Sequence, residues 1–295
     1  MKKFDEVLLN EYGYYELEHP LKPEEIQRIF EEEYFQNSMS NYEQLYDEDE
    51  LKFFENKMMQ KELMLKPHLP QRDKLSFLDI GCGEGFALDY FHKNGYQVTG
   101  IDFSVYGTKK HHPDMLPYLL QGDSKEILPK LIAEKRQFDL INMDSVLDMM
   151  VNPEEVLALI GKLLTGDGVL LIKVANQFNP LQTRLLEKNK LKEIYWLDKV
   201  GHPSYFNKDG LIRFVESFGF ACTDILGESY IEFFLANDDT NYYENKSSGK
   251  NCYRAKLELE NLMHEISPEK SIDVFRTLGK MGLGREVIGI FKKNS

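Results

Sequence analysis

Leu78-Asp79-Ile80-Gly81-Cys82-Gly83-Glu84-Gly85 joins a short apolar run to three alternating glycines. Glycines at such a point permit a sharp turn and leave room for a ligand lying directly on the backbone. Taken alone, the run is either a nucleotide-binding turn or an ordinary glycine-rich link between a strand and a helix. The next run decides between them. Val98-Thr99-Gly100-Ile101-Asp102-Phe103 reads as a second strand ending in an acid, 21 residues after Gly81. A carboxylate there can accept both hydroxyls of a ribose. Phe103 either stacks on an adenine ring or packs in the core. Gly122-Asp123-Ser124 follows a third apolar run, where Asp123 either accepts an adenine amino group or caps the next helix. Together these positions describe an adenosyl ligand held at the carboxyl ends of consecutive strands.

A second group of residues falls on loops where a reaction partner would sit. Asp144 follows the fourth apolar run and is placed to orient an acceptor, take a proton or cap a helix. His202 titrates in the right range for acid–base work, with fixing the loop before Pro203 as its structural alternative. Asn176 and Gln177 directly follow the fifth run and suit hydrogen bonds to a polar substrate or to their own loop. Arg184, Arg213, Lys250 and Arg254 are cations available to an anionic acceptor. His111 and His112 read as solvated. Tyr242, Tyr243 and Tyr253 either line the acceptor pocket or pack the segment that carries them.

The elements that must position these residues follow from periodicity. Short apolar runs at 76–80, 97–101, 117–120, 138–143, 168–174, 220–226 and 286–292 alternate for the most part with helical segments. That alternation predicts βαβ crossovers and an α/β fold of Rossmann-like type, a mostly parallel seven-stranded sheet covered on both faces. Residues 229–235 are read as an extension of the sixth strand. Residues 1–20 read as irregular with a short strand, and helical patterns begin after Pro23 and over 47–66, so residues 1–70 are expected to be an N-terminal helical extension packed on the core. The core is expected at 71–236, with a helical insertion at 237–283 before the last strand at 284–295. The connection over 176–206 is long enough to act as a lid or substrate-binding element.

Composition removes several function classes. The formal net charge of −13 leaves no basic face for nucleic acid, and no cationic run suggests an anionic membrane surface. No stretch approaches the roughly 18 apolar residues of a bilayer span, and no leader pattern opens the chain. Cys82, Cys222 and Cys252 are odd in number and far apart, which suits a reducing cytoplasm rather than a disulfide framework.

Residues 76–176 resemble the class I S-adenosylmethionine methyltransferases, whose first motif is an apolar, acid, apolar, Gly-x-Gly-x-Gly pattern. Phe138-Asp139-Leu140-Ile141 resembles the fourth strand of that family. His202-Pro203-Ser204-Tyr205-Phe206, followed by a helix and Gly219-Phe220, is similar to the small-molecule branch. The resemblance implies S-adenosyl-L-methionine as cofactor and S-adenosyl-L-homocysteine as product. Asp79 would fix the methionine end, Gly81, Cys82, Gly83 and Gly85 would line it, and Asp102 would hold the ribose. Tyr42, Phe103, Asp123, Ser124 and Met143 complete the expected cofactor set. Asn176, Gln177 and Tyr205 would face the acceptor, with His202 and Asp144 as catalytic candidates. Tyr34, Tyr42 and Tyr46 resemble tyrosines of methyltransferases from bacterial surface-sugar gene clusters. That likeness implies a nucleotide-linked sugar or phosphorylated intermediate as acceptor. The composition leads to the expectation of a soluble cytoplasmic protein, and a monomer or homodimer is expected. Some relatives carry a metal-binding histidine after the fourth strand; Met149 stands there instead, so no metal is expected. Two rivals remain. A nicotinamide-dependent oxidoreductase wants Gly-x-Gly-x-x-Gly, but here Phe86 occupies the third glycine's place. The other is a methyltransferase-like interaction module that binds the cofactor or nothing, against which the complete glycine motif and both acids argue.

Overall fold

A computed structural model describes residues 6–22, 25, 28, 45–197 and 202–294. The helix expected after Pro23 falls largely outside them, as do Tyr34 and Tyr42.

Strands β3 (Ser76–Ile80), β4 (Gln97–Asp102), β5 (Leu119–Gln121), β6 (Phe138–Asp144), β7 (Leu164–Ala175), β9 (Phe220–Glu228) and β10 (Glu286–Lys293) form one sheet in the order β5-β4-β3-β6-β7-β10-β9. Pairs among β3–β7 are parallel, and β10 runs antiparallel between β7 and β9. This is the Rossmann-like sheet that the alternating pattern predicts. β3 and β6 are buried along nearly their whole length, as expected of strands with a layer on each face. Neighbouring residues feed opposite layers: Leu78 and Ile80 pack with Leu157, Phe206 and Phe214, while Phe77 packs with Leu88, Phe91 and Phe275. Helices α2 (Phe86–Lys93), α3 (Tyr106–His111), α4 (Ser124–Ala133), α5 (Pro153–Leu163) and α7 (Lys208–Glu216) connect the strands.

Helix α1 (Glu48–Leu65) matches the pattern over 47–66 and begins with a full capping box, Asp47 and Glu50 each satisfying the other's backbone N–H. It packs against α8 (Gly249–Ile266) and α9 (Pro268–Lys280). Asn56 donates to Asn261 at 2.9 Å, and His264 pairs with Gln60 at 3.0 Å. Sequence-distant helices therefore form one layer above the sheet.

Residues 6–17, within the stretch read as irregular with a short strand, form a hairpin, β1 (Val7–Leu9) with β2 (Tyr15–Leu17), and β8 (Ser204–Tyr205) joins it as a third strand. Two expectations need revision. Residues 229–235 do not extend β9. Ser229 adopts φ +64°, which breaks the strand, and a 3₁₀ turn follows over Tyr230–Ala236. The third run is split: Pro117 and Tyr118 end a 3₁₀ turn, Pro113–Tyr118, and β5 starts only at Leu119, covering Leu119–Gln121. Among the described residues no helix is long and apolar enough to cross a membrane.

Candidate functional site

The glycine turn sits where β3 leaves the sheet. Gly81 and Cys82 both donate to the Ile101 carbonyl on β4, at 2.7 and 3.1 Å, which locks the turn to the neighbouring strand. Gly81 has φ +74°, and a Cβ there would collide with Val146. Gly83 has φ +53° and open space where its Cβ would stand, so its backbone is bare toward a ligand. The Gly83 N–H donates to Asp102 Oδ2 at 2.8 Å, and Ser104 N–H to Oδ1 at 2.9 Å. Each oxygen keeps a lone pair for further donors.

Helix α3 braces the turn from behind. Thr108 donates to the Gly83 carbonyl at 2.8 Å, and His112 Nδ1 lies 2.7 Å from the Glu84 carbonyl. Tyr46 donates to both oxygens of Glu84, at 2.9 and 3.0 Å, and His111 reaches the same carboxylate at 3.2 Å. Burial pushes Glu84 up to about 7. The histidine pair is thus half-buried support for the loop, not a solvated stretch.

From this turn a cavity of about 680 Å³ runs across the carboxyl ends of β3, β6 and β7. Asp79 lines it, 2% exposed, accepting from Asn142 Nδ2 at 2.6 Å. Burial raises Asp79 to about 6, because one amide and a nearby lysine do not replace lost water. The far end holds a cluster of charges. Lys57 pairs with Glu260 at 2.7 Å and Glu228 at 3.3 Å, while Lys173 pairs with Glu286 at 3.2 Å and Asp144 at 3.4 Å. Lys61 also pairs with Asp144. Burial opposes the charge on Asp144, yet Lys173 and Lys61 together hold it well below the usual carboxylate range.

A family model described as a methyltransferase domain matches residues 51–225, more than half of the chain. The chain belongs to the methyltransferase domain family. Its recognition as a class I, S-adenosylmethionine-dependent member agrees with the sheet order and the glycine turn. Among relatives, a ubiquinone biosynthesis O-methyltransferase from Colwellia psychrerythraea is 26% identical over 163 residues, 53% of this chain and 65% of that one. Its mitochondrial namesake from Arabidopsis thaliana is 30% identical over 109 residues, 35% of this chain. The chain thus spans 65% and 33% of the length of these two relatives. A SAM-dependent methyltransferase structure from Archaeoglobus fulgidus is 16% identical with a TM-score of 0.46, covering 81% of this chain and 94% of that one.

The residues of this methyltransferase domain fit the cofactor. Gly83 offers bare backbone, Asp102 has free lone pairs beside it, and Asp79 is a buried carboxylate that a cationic ammonium would stabilise. Gly81, Cys82, Gly83, Asp79 and Asp144 all line the cavity. Phe103, Asp123 and Ser124 stand at the β4/β5 edge outside that lining, where Asp123 caps α4 through the Lys125 N–H at 2.8 Å. Met143 does not face the cavity. Strand alternation turns Asn142 and Asp144 upward and buries the Met143 side chain in the opposite layer.

The expected acceptor residues are drawn elsewhere. Asn176 spends its amide on the carbonyls of Gly282 and Gly284, at 3.0 and 2.9 Å, tying the end of β7 to the turn before β10. The Gln177 N–H donates to Phe206, and Tyr205 is fully buried opposite Tyr15. Pairing of β8 with β2 pulls residues 202–206 into the small sheet. His202, 3.9 Å from Asp148, is therefore not in the cavity lining. Arg184, Arg213 and Arg254 engage Glu187, the Tyr12 carbonyl and Asp47. Tyr253 lines the cavity, whereas Tyr242 and Tyr243 pack with Trp196 and Leu235.

The sequence reading missed the lysines. Lys57, Lys61, Lys173 and Lys256 all line the cavity. Two signals were present: Lys173 interrupts the buried run Leu170-Leu171-Ile172, and Lys57 and Lys61 share a helix face at i, i+4.

Proposed function

We propose that the chain transfers a methyl group from S-adenosylmethionine to a small polar acceptor bound at the charged end of the cavity. The observation that carries this reading is the continuity of one cavity from Gly81–Gly83 and Asp79 to the Asp144–Lys173 cluster. When bound, the cofactor supplies an electrophilic methyl on a sulfonium. Asp79 then holds the methionine ammonium and Asp102 the ribose hydroxyls. Phe103, Asp123 and Ser124 take the adenine side.

Asp144 serves to orient the acceptor rather than to take its proton. A carboxylate held ionised by two lysines is a weak base, and positioning at near-attack distance is the larger contribution to such a transfer. His202 acts through the loop it fixes. The finer reading, a nucleotide-linked sugar or phosphorylated intermediate of surface-polysaccharide synthesis, is favoured by the likeness of Tyr46 to tyrosines of that group. Tyr46 lines the cavity and clasps Glu84.

Calorimetry tests the core of the proposal. Micromolar binding of S-adenosylhomocysteine without binding of NAD is the expected result; binding of neither, or of NAD alone, would overturn it.

A further inference from the structure

Among the described residues Lys256 is the cavity lysine that no carboxylate contacts directly. It is 8% exposed, lines the cavity, and stands on α8 with its ammonium 3.7 Å from the centre of the Phe53 ring. Among the described residues no hydrogen bond or ion pair engages that ammonium. Every carboxylate of the cluster is already taken by another lysine: Glu228 and Glu260 by Lys57, Glu286 by Lys173, Asp144 by Lys61 and Lys173. Burying a charge without a partner is costly unless something else supplies one. The aromatic face of Phe53 offsets only part of that cost. Desolvation accordingly pushes Lys256 below the usual lysine range, despite the fields of Glu260 and Glu286.

Position separates this lysine from the cofactor. The glycine turn stands at the end of β3, while the charges around Lys256 include Lys173 on β7 and Glu286 on β10. In the sheet order, β10 is three strand spacings from β3, roughly 14 Å. Tyr253, one helical turn before Lys256, lines the same wall, its ring centroid 5.8 Å from the ammonium.

The geometry points to Lys256 as the residue that receives an oxyanion group of the acceptor, a phosphoryl or carboxylate carried by the small molecule. This rests on the methyl-transfer reading, and it adds the substrate class. Such a group would give the Lys256 ammonium a direct partner and hold the acceptor between α8 and the ends of β7 and β10. The nucleophilic atom would then lie toward Asp144 and the cofactor. Lys256 is a binding residue in this scheme and takes no part in bond making.

The test uses the full chain saturated with S-adenosylhomocysteine, titrated with inorganic phosphate and separately with acetate, followed by NMR. Cofactor affinity is measured first. A wild type that fails to bind S-adenosylhomocysteine overturns the methyl-transfer reading and not this assignment. Wild type is expected to bind at least one of the two anions, and the stronger identifies the acceptor's group. Lys256→Met should weaken that binding at least ~10-fold, while Lys256→Arg keeps most of it. Lys256→Gln, which retains a polar donor above Phe53, guards against a folding defect and should behave like Lys256→Met. All variants should keep cofactor affinity within about twofold. Anion binding by the two uncharged variants equal to wild type overturns the proposal. So does uptake of neither anion by wild type. A parallel loss of cofactor affinity overturns it as well, since Lys256 would then be serving the methionine carboxylate.

Discussion

The two ends of the cavity are built on opposite principles. At the β3 end the cavity wall is backbone: three glycines at positive φ, one buried acid and one acid that orders the turn. Every part lies within residues 79–102, with bracing from 108–112 close behind. At the β7/β10 end the wall is backed by charged side chains from α1, β6, β7, β9, α8 and β10, whose members span residues 57 to 286. The first end is rigid because the chain can do little else there. The second is held by mutual neutralisation of buried charges, so each member depends on the others.

The sharpest way to break this contrast is to remove one cation. Lys57→Met should leave Glu228 and Glu260 buried without their partner and cost about 3–5 kcal/mol in chemical denaturation. A loss under about 1 kcal/mol would mean that the cluster is not held by interdependent charges. Asp102→Ala attacks the other end. It should weaken S-adenosylhomocysteine binding by roughly a hundredfold, about 3 kcal/mol, by removing two charge-assisted bonds to the ribose. The melting temperature without cofactor should also fall, because the Gly83 and Ser104 N–H groups lose their acceptor, and normal affinity would remove the ribose assignment.

The smallest effect concerns Glu84, whose folded form keeps its proton up to about 7, against an ordinary value of 4.5. Between those values the folded state binds more protons than the unfolded chain. Stability therefore falls as pH rises through that window, and Asp79, raised to about 6, acts in the same direction. Glu84→Gln should flatten the slope of cofactor-free stability between pH 5 and 8 by on the order of 1 kcal/mol. Melting curves at several pH values with parallel slopes would show that the Tyr46–Glu84 clasp does not titrate there.

Legibility followed the same division. Leu78–Gly85 and Asp102 were readable because strand, turn and acid are sequential, and their spacing is set by one βαβ unit. Met143 was misplaced by one residue of strand alternation, which a short apolar run does not reveal. Asn176, Gln177 and Tyr205 were assigned to the acceptor because they follow a strand end. The Asn176 side-chain amide is instead taken by the turn before β10, the Gln177 backbone N–H by Phe206, and Tyr205 by the β2–β8 pairing between segments nearly 190 residues apart.

The amino-acid sequence by itself determined the parallel sheet, the glycine turn and the acids beside it, since each follows from local period and steric freedom. Tertiary structure alone decided what faces the other side of the cavity. Lys57, Lys173 and Lys256 carry no mark along the chain of meeting one another. Only the packing of α1 and α8 over β7 and β10 brings them to one wall, where the low polarity of the interior strengthens the interactions among their charges.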